Sequence, residues 1–157
     1  MSDYEKLTLT EAILCMEKIY TISLGNAPDS DDTRLVKRGL SDFNLRKKGH
    51  CNNQELSVFL KDERGTTIGG LLAHTLGEWL NIQALWVEEN AKGKGYGSHL
   101  LVAAETEALK RGCLVADLRT FAFQAPEFYR KNGYVMLGEL ENAVGGESVY
   151  YFRKKLQ

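Results

Sequence analysis

The passage from residue 79 to residue 120 constrains the fold most, because its structural period changes twice. Trp79 to Val87 is a predicted strand, and a glycine-rich turn follows it. From Gly97 to Arg111, small and apolar residues recur at the spacing of one helix face. Leu114 to Thr120 is again a strand, mostly apolar. A strand–helix–strand passage requires a crossover, so we predict that these two strands are parallel.

Antiparallel strands surround this passage, because short turns join them in a meander or a hairpin. The predicted fold class is therefore α+β, with a mixed, mostly antiparallel central sheet flanked by helices. In chain order, the other predicted elements are a helix over Thr10–Lys18, a strand over Ile19–Leu24, a helix that follows the acidic cluster at 29–32 and runs to about Leu45, strands over Leu56–Lys61 and Thr67–Thr75, a short helix over Pro126–Lys131, and a hairpin of Tyr134–Leu140 and Ser148–Phe152.

Length and composition bound the class of protein. The 157 residues fit one domain, and we expect residues 1–157 to form it, with residues 1–18 as an N-terminal helical extension. The 20 basic and 21 acidic side chains give a net charge of -1, which does not indicate the basic surface that nucleic acid requires. No apolar run approaches the roughly 20 residues of a membrane-spanning helix.

Cysteine usage and the N-terminus indicate a compartment. The three cysteines, Cys15, Cys51 and Cys113, form no C-x-x-C pair, so neither a metal site nor a disulfide framework is expected. The first residues lack a basic flank followed by an apolar stretch, as a signal peptide would have. We therefore expect a cytoplasmic protein with no metal, no nucleic-acid partner and no membrane partner.

The turn between the strand and the helix is the most specific chemical feature. Gly93, Gly95 and Gly97 alternate with other residues, and Lys92 and Lys94 add two cations. The first amides of a helix lack intrahelical partners and carry partial positive charge, so such a turn is suited to pyrophosphate. A dinucleotide fingerprint has a different glycine spacing, and a phosphate loop of nucleotide hydrolases needs a closing Gly-Lys-Ser/Thr. A flexible loop without a ligand is the remaining alternative.

Two separated segments resemble the GNAT superfamily of N-acetyltransferases. Residues 92–97 match its Q/R-x-x-G-x-G/A signature, except that Lys92 replaces the usual Gln or Arg. Residues 127–134 resemble its second signature, an aromatic–Tyr pair followed by Gly-aromatic. The resemblance covers roughly residues 56–135. It implies a GNAT-like sheet in which the parallel strands 79–87 and 114–120 splay apart.

The resemblance also implies a cofactor site and a catalytic acid. Acetyl-CoA would be the cosubstrate, with its pyrophosphate on the glycine turn and its pantetheine arm along the preceding strand. Tyr129 aligns with the family tyrosine that protonates the leaving thiolate. Phe123 and Gln124 suggest a local variant of the cofactor's far wall, and core packing of Phe121 and Phe123 is an equal alternative. The implied cofactor-binding residues are Leu85, Trp86, Val87, Lys92, Gly93, Lys94, Gly95, Tyr96, Gly97, Ser98, Phe123 and Gln124.

The sequence leaves the general base open. Asn81 stands where some relatives carry a glutamate, and an amide is suited only to positioning a water there. Glu78 is a second candidate for the base, although a residue of this kind is more often only a surface charge. His74 is a third candidate, although a lone histidine on a strand more often has a structural role. A chain of water molecules would also serve.

Two functions from different classes follow. The first is an N-acetyltransferase that moves an acetyl group from acetyl-CoA to a primary amine of a small molecule or a protein by direct attack. The second is a non-catalytic sensor that binds acyl-CoA; Asn81 favours it and Tyr129 disfavours it. A homodimer is common among relatives, but no sequence feature establishes one.

Overall fold

The structure is a computed structural model that describes residues 21–49 and 52–157. The chain divides into two compact units, residues 1–47 and 48–157. The predicted helix over Thr10–Lys18 lies outside the described residues. The prediction of one domain with a helical extension over residues 1–18 therefore stays a prediction. No helix in the described ranges is long and apolar enough to span a membrane.

The described part of the first unit contains helix α1, Asp31–Lys48. Asp31 and Asp32 occupy its first turn, where carboxylates oppose the positive end of the helix dipole. The Thr33 amide donates a hydrogen bond of 3.2 Å to Ser30 Oγ, as at a capped N-terminus. The helix predicted here is confirmed and runs three residues past Leu45. The predicted strand over 19–24 lies partly outside the described residues; residues 21–24 form no strand, since they pair with no strand of the described sheet.

The second unit is a mixed sheet with helices, which confirms the predicted α+β, GNAT-like fold class. Its described strands lie in the order β1-β2-β3-β4-β6-β5, and only β3 and β4 pair in parallel. The elements are β1 Asn53–Lys61, β2 Thr67–Leu76, β3 Trp79–Val87, a 3-10 turn Glu89–Ala91, α2 Tyr96–Lys110, β4 Val115–Phe121, α3 Pro126–Lys131, β5 Val135–Val144 and β6 Glu147–Lys155.

The core of this unit lies between one face of the sheet and helix α2. Strand side chains alternate between the two faces, so every second residue of β2 and β4, and of β3 as far as Ile82, points into the core. Leu71, Leu80 and Phe152 are completely buried there. Ala104 and Ala108, also completely buried, present a small surface of α2 to the sheet and allow a close approach.

Strands β3 and β4 pair over only half of their length. The register runs from Trp79 opposite Val115 to Ile82 opposite Leu118 and then stops, although both strands continue. A bulge begins at the same point, because β2 pairs with Ile82 and then with Ala84, which leaves Gln83 as an extra residue. A bulge bends its strand and increases the local twist, which accounts for the divergence. The predicted splay is thus present.

A buried polar cluster fixes the segment between α3 and β5. The Tyr134 hydroxyl donates a hydrogen bond of 2.9 Å to Glu105 Oε1, and Lys154 Nζ donates one of 2.7 Å to Glu105 Oε2. Glu105 is only 8% exposed, so both of its oxygens need these partners. Burial and the neighbouring Glu105 carboxylate raise the pKa of Tyr134 far above its usual range. The cluster ties α2 to β6 and to the end of α3.

Candidate active site

A cavity of about 670 Å³ opens where β3 and β4 diverge. Its walls come from β3, the glycine turn, the start of α2, β4 with the loop after it, and α3. The sequence-predicted residues that line it are Leu85, Trp86, Val87, Lys92, Gly93, Gly95, Tyr96, Gly97, Ser98, Phe123, Gln124 and Tyr129. The structure therefore brings together two motifs about 35 residues apart in sequence, as a shared site requires.

Three predicted residues lie outside the cavity walls. Lys94 is exposed in the turn without lining the cavity. Glu78 precedes β3 at the end opposite the glycine turn, which separates it from the cavity by most of the strand. Asn81 lies within β3, one residue before the cavity wall begins at Ile82.

The glycine turn ends with an uncapped helix. Gly95 immediately precedes α2 with φ of 83°, a left-handed conformation that favours glycine. No side chain in the described ranges caps this helix. The first intrahelical bond runs from the His99 amide to the Gly95 carbonyl, so the amides of Tyr96, Gly97 and Ser98 precede the helical ladder. These amides and the dipole together could hold an anion at the cavity wall.

Gly97 serves a second purpose, which is close packing. A Cβ at this position would lie 3.1 Å from Cζ of Phe128 and 3.8 Å from Cδ2 of Leu85. The Phe128 ring therefore packs directly on the start of α2. This contact fixes helix α3, and with it Tyr129, against the glycine turn. Phe128 was not predicted as a site residue, although it belongs to the aromatic–Tyr pair of the second signature.

Lys92 is placed to assist an anion at the turn. Its ammonium group forms an ion pair with Glu89, but both side chains are largely exposed, so this pair contributes little. A phosphate group is a stronger partner, because it offers several charged oxygens. Lys92 therefore remains available for a ligand.

Tyr129 combines a buried ring with a hydroxyl that the cavity can reach. The ring is 9% exposed and makes edge contacts with Phe128 and Tyr134, at centroid distances of 5.1 and 6.0 Å. The Tyr129 hydroxyl forms no hydrogen bond with any described residue. Since no buried side-chain oxygen or nitrogen in the described residues lacks a partner, this hydroxyl is not buried and can be reached from the cavity. Burial raises the pKa of Tyr129, so the phenol keeps its proton at neutral pH. A general acid requires that protonated form.

The loop after β4 forms the far wall of the cavity. Gln124 Oε1 accepts hydrogen bonds from Thr120 Oγ1 at 2.9 Å and from the Phe121 amide at 3.0 Å, which holds the loop in place. Phe121 and Phe123 stack with parallel rings 5.2 Å apart. Phe123 is 64% exposed, so it is not a core residue. Of the two alternatives for Phe123, the structure favours the cavity wall.

Asn81 is hydrogen-bonded to the carboxylate of Asp117 on the neighbouring strand β4. Asn81 Nδ2 donates a hydrogen bond of 2.7 Å to Asp117 Oδ1, and Trp79 Nε1 donates one of 2.8 Å to the same oxygen. His74 packs edge-on against Trp79 and places Nδ1 3.1 Å from Gln83 Nε2. Asp117 was not predicted as a site residue; the signal for it was a charged residue inside a mostly apolar strand, which Arg119 shares.

A cleft between splayed strands that ends at an uncapped, glycine-rich helix start and a buried tyrosine is the arrangement expected of a coenzyme A-dependent acyltransferase. The Acetyltransferase (GNAT) family model matches residues 16–134, and the chain belongs to this family. The protein is an N-acetyltransferase, and GNAT acetyltransferases use acetyl-CoA as the acetyl donor. In the described residues, no group of three or more His, Cys, Asp or Glu is arranged to hold a metal ion.

Three relatives illustrate the similarity. Acetyltransferase Atu2258 of Agrobacterium fabrum is 30% identical over 132 residues, which are 84% of this chain and 96% of the relative. Blasticidin-S acetyltransferase of Streptomyces morookaense is 37% identical over 95 residues, which are 60% of this chain and 70% of the relative. The crystal structure of an acetyltransferase from Bacillus cereus superposes with a TM-score of 0.79 at 33% identity, covering 87% of this chain and 98% of that one.

Proposed function

We propose that the chain transfers the acetyl group of acetyl-CoA directly to a primary amine of a small molecule or a protein. The observation that carries this proposal is the cavity itself, which joins the uncapped start of α2 to the hydroxyl of Tyr129. One end of the cavity suits a pyrophosphate, and the other suits a leaving thiolate.

The pyrophosphate would bind the glycine turn. Main-chain amides between Lys92 and Ser98 would donate to its oxygens, and the ammonium group of Lys92 would add charge. Lys94, which is exposed in the same turn, would contribute to attraction at longer range.

The pantetheine arm would bind along the open edge of β3. After Ile82, this edge has no partner in β4, so main-chain groups of Leu85, Trp86 and Val87 that face the cavity need hydrogen-bond partners. The arm contains amide groups that can pair with a strand edge as another strand would. Phe123 and Gln124 would form the opposite wall.

Tyr129 would act as the general acid. As the amine nitrogen bonds to the acetyl carbonyl carbon and the carbon–sulfur bond breaks, Tyr129 gives its proton to sulfur. The proton that the nitrogen loses restores the phenol through solvent. The raised pKa of Tyr129 supports this role, because the acid form is retained across the neutral range.

Neither Asn81 nor Glu78 is suited to be the direct base. Glu78 lies at the far end of β3, and the Asn81 amide is an N–H donor to Asp117. Asn81 would instead position the carboxylate of Asp117.

A panel assay tests the proposed function. Free thiol would be measured with acetyl-CoA and a panel of polyamines, aminoglycosides, blasticidin S, amino acids and peptides. We expect saturable thiol release with at least one amine and none without an acceptor. Calorimetric binding of acetyl-CoA without thiol release across the panel would instead favour the sensor. Blasticidin S is included because one relative is named blasticidin-S acetyltransferase.

Location, assembly and domain organisation belong to the same proposal. We propose a cytoplasmic enzyme in which residues 1–157 act as a single N-acetyltransferase domain. The free, completely buried thiol of Cys113 agrees with a reducing compartment. The homodimer stays a prediction, which light scattering at several protein concentrations would test.

A further inference from the structure

We propose that Asp117 binds the ammonium group of a cationic amine acceptor beside the point where β3 and β4 diverge, a role that rests on the proposed function. Asp117 lies opposite Asn81 in the parallel register, and the next pair, Ile82 and Leu118, is the last before the strands diverge. Ile82 and Leu118 line the cavity. Asp117 therefore lies one residue from the cavity wall, on the sheet face opposite the core.

The Asp117 carboxylate is oriented without being neutralised. Both of its hydrogen bonds, from Trp79 Nε1 and Asn81 Nδ2, end on Oδ1. In residues 52–157, Oδ2 receives no hydrogen bond, and Asp117 forms no ion pair. Two uncharged donors fix the direction of a carboxylate but leave its charge for a cation. This is the arrangement expected of a binding group and not of a structural ion pair.

Trp79 and His74 stand beside this carboxylate. The indole of Trp79 is held by its N–H bond to Asp117 and by the edge contact with His74, whose ring centroid is 5.7 Å away. The indole therefore meets the carboxylate with its N–H edge and fixes its direction. Gln83 contacts His74 and also lines the cavity. Polar side chains thus continue from Asp117 to the cavity wall.

Two guanidinium groups flank Asp117 and oppose a cation. Arg119 is two residues further along β4, and Arg153 is the register partner of Asp117 on β6, so both side chains emerge on the same sheet face. Both residues are exposed, and neither forms an ion pair with Asp117. Because these two groups are positive, removing one of them should strengthen binding of a cationic acceptor, whereas removing the charge of Asp117 should weaken it.

The chemistry of the acceptor explains why a carboxylate is needed here. A primary amine is mostly protonated at neutral pH, and Asp117 would attract and orient this ammonium group. The ammonium loses two protons in the reaction: one is released to solvent before nitrogen attacks the carbonyl carbon, and the other replaces the proton that Tyr129 gives to sulfur. Asn81, at the position that the sequence analysis marked for a base, would be a positioning residue for Asp117.

Kinetics of Asp117→Asn with two acceptors test this proposal. The first acceptor is the charged amine with the highest kcat/KM in the panel, and the second is methoxyamine, which is uncharged at neutral pH; uncatalysed reaction is subtracted. We expect kcat/KM to fall at least about 30-fold for the charged amine, mainly through KM, and less than about 3-fold for methoxyamine. Asp117→Glu should recover part of the loss, and calorimetric affinity for CoA should be unchanged.

Arg153→Gln is the matched variant of opposite sign. Removing this positive charge should lower KM for the charged amine by about 2- to 5-fold and leave methoxyamine unaffected. This variant also keeps the test decisive if Asp117→Asn does not fold, since Arg153 is exposed and lies outside the cavity wall.

Three results would overturn the proposal. Equal losses for both acceptors in Asp117→Asn would make Asp117 structural, and no change in either Asp117→Asn or Arg153→Gln would remove it from the site. A wild-type enzyme that binds acetyl-CoA but acetylates no charged amine in the panel would also exclude the ammonium site. Failure of the wild-type protein to bind acetyl-CoA would refute the proposed function itself, which distinguishes the two.

Discussion

The two halves of the β3–β4 pair differ although they belong to the same strands. The half from Trp79 to Ile82 pairs with β4 and buries Leu80 and Ala116 completely. The half from Gln83 to Val87 has no partner in β4 and borders the cavity. Main-chain pairing therefore stabilises the sheet in one half and leaves main-chain groups without a β4 partner in the other.

The open half is nevertheless held rigid. Strand β2 pairs with its other edge, Gly69 opposite Val87 and Gly70 opposite Trp86. A Cβ on Gly69 would lie 3.0 Å from the Trp86 carbonyl oxygen, so glycine permits this close approach. A strand fixed from one side offers a preorganised edge on the other, which lowers the entropy cost of binding.

Leu80→Ala tests the paired half and should have the largest effect. Truncating a completely buried leucine should lower the free energy of unfolding by about 2–5 kcal/mol. The affinity of the folded protein for acetyl-CoA should change less than about 2-fold, because Leu80 lies outside the cavity wall. Urea denaturation and calorimetry measure the two quantities. Leu85→Ala in the open half is the matched control. It should lose less stability than Leu80→Ala and more affinity for acetyl-CoA. Equal losses of stability and of affinity in the two variants would contradict the difference between the halves.

Gly95→Glu tests the anion site at the end of the open half. A carboxylate beside the pyrophosphate should weaken CoA binding at least about 100-fold, since like charges at close range repel by several kcal/mol. Gly95→Ala shares the strain of a φ of 83° without the charge and should retain most of the affinity. Calorimetry with CoA would contradict the site if both variants bound equally well.

Tyr129→Phe separates turnover from binding. Loss of the phenol should lower kcat about 10- to 100-fold, while the affinity for CoA stays within about 2-fold, because the ring contacts with Phe128 and Tyr134 remain. The acid form is lost only as pH rises through the raised pKa, so ionisation of Tyr129 should not reduce kcat below about pH 10. Single-turnover rates of the two proteins measure the effect, and equal rates would remove Tyr129 from the mechanism.

Tyr134→Phe should act on stability, with a smaller loss than that of Leu80→Ala. Removing the hydroxyl leaves Glu105 with Lys154 as its partner and should cost about 1–3 kcal/mol. The pKa of Tyr134 is raised in the folded state, so its stabilising contribution is complete below the unfolded pKa of about 10 and is lost as pH rises above it. Unfolding measured from about pH 8 to about pH 11 should show a shallower loss in the variant. Identical pH dependence would contradict this origin.

The sequence predicts the elements better than it predicts their partners. Strand Trp79–Val87 and helix Pro126–Lys131 have the predicted bounds, because Gly77, Pro126 and Gly133 mark their ends. The hairpin extends further than predicted, since Val144 pairs with Glu147 in a segment of polar and turn-forming residues.

Contacts between distant residues were not predictable from local patterns. The Asn81–Asp117 bond joins residues 36 apart, and the Lys154–Glu105 bond joins residues 49 apart. Both depend on strand register and on the position of α2, which hydrophobic periodicity does not specify. The glycine turn was recognisable because its glycines and lysines lie within six consecutive residues.

A crystal structure with acetyl-CoA would show directly whether the glycine turn holds the pyrophosphate. We expect pyrophosphate oxygens at hydrogen-bond distance, about 2.7–3.2 Å, from main-chain nitrogens between Lys92 and Ser98, with the pantetheine arm between β3 and β4. Acetyl-CoA bound elsewhere, with the amides at the start of α2 in contact with water alone, would contradict this expectation.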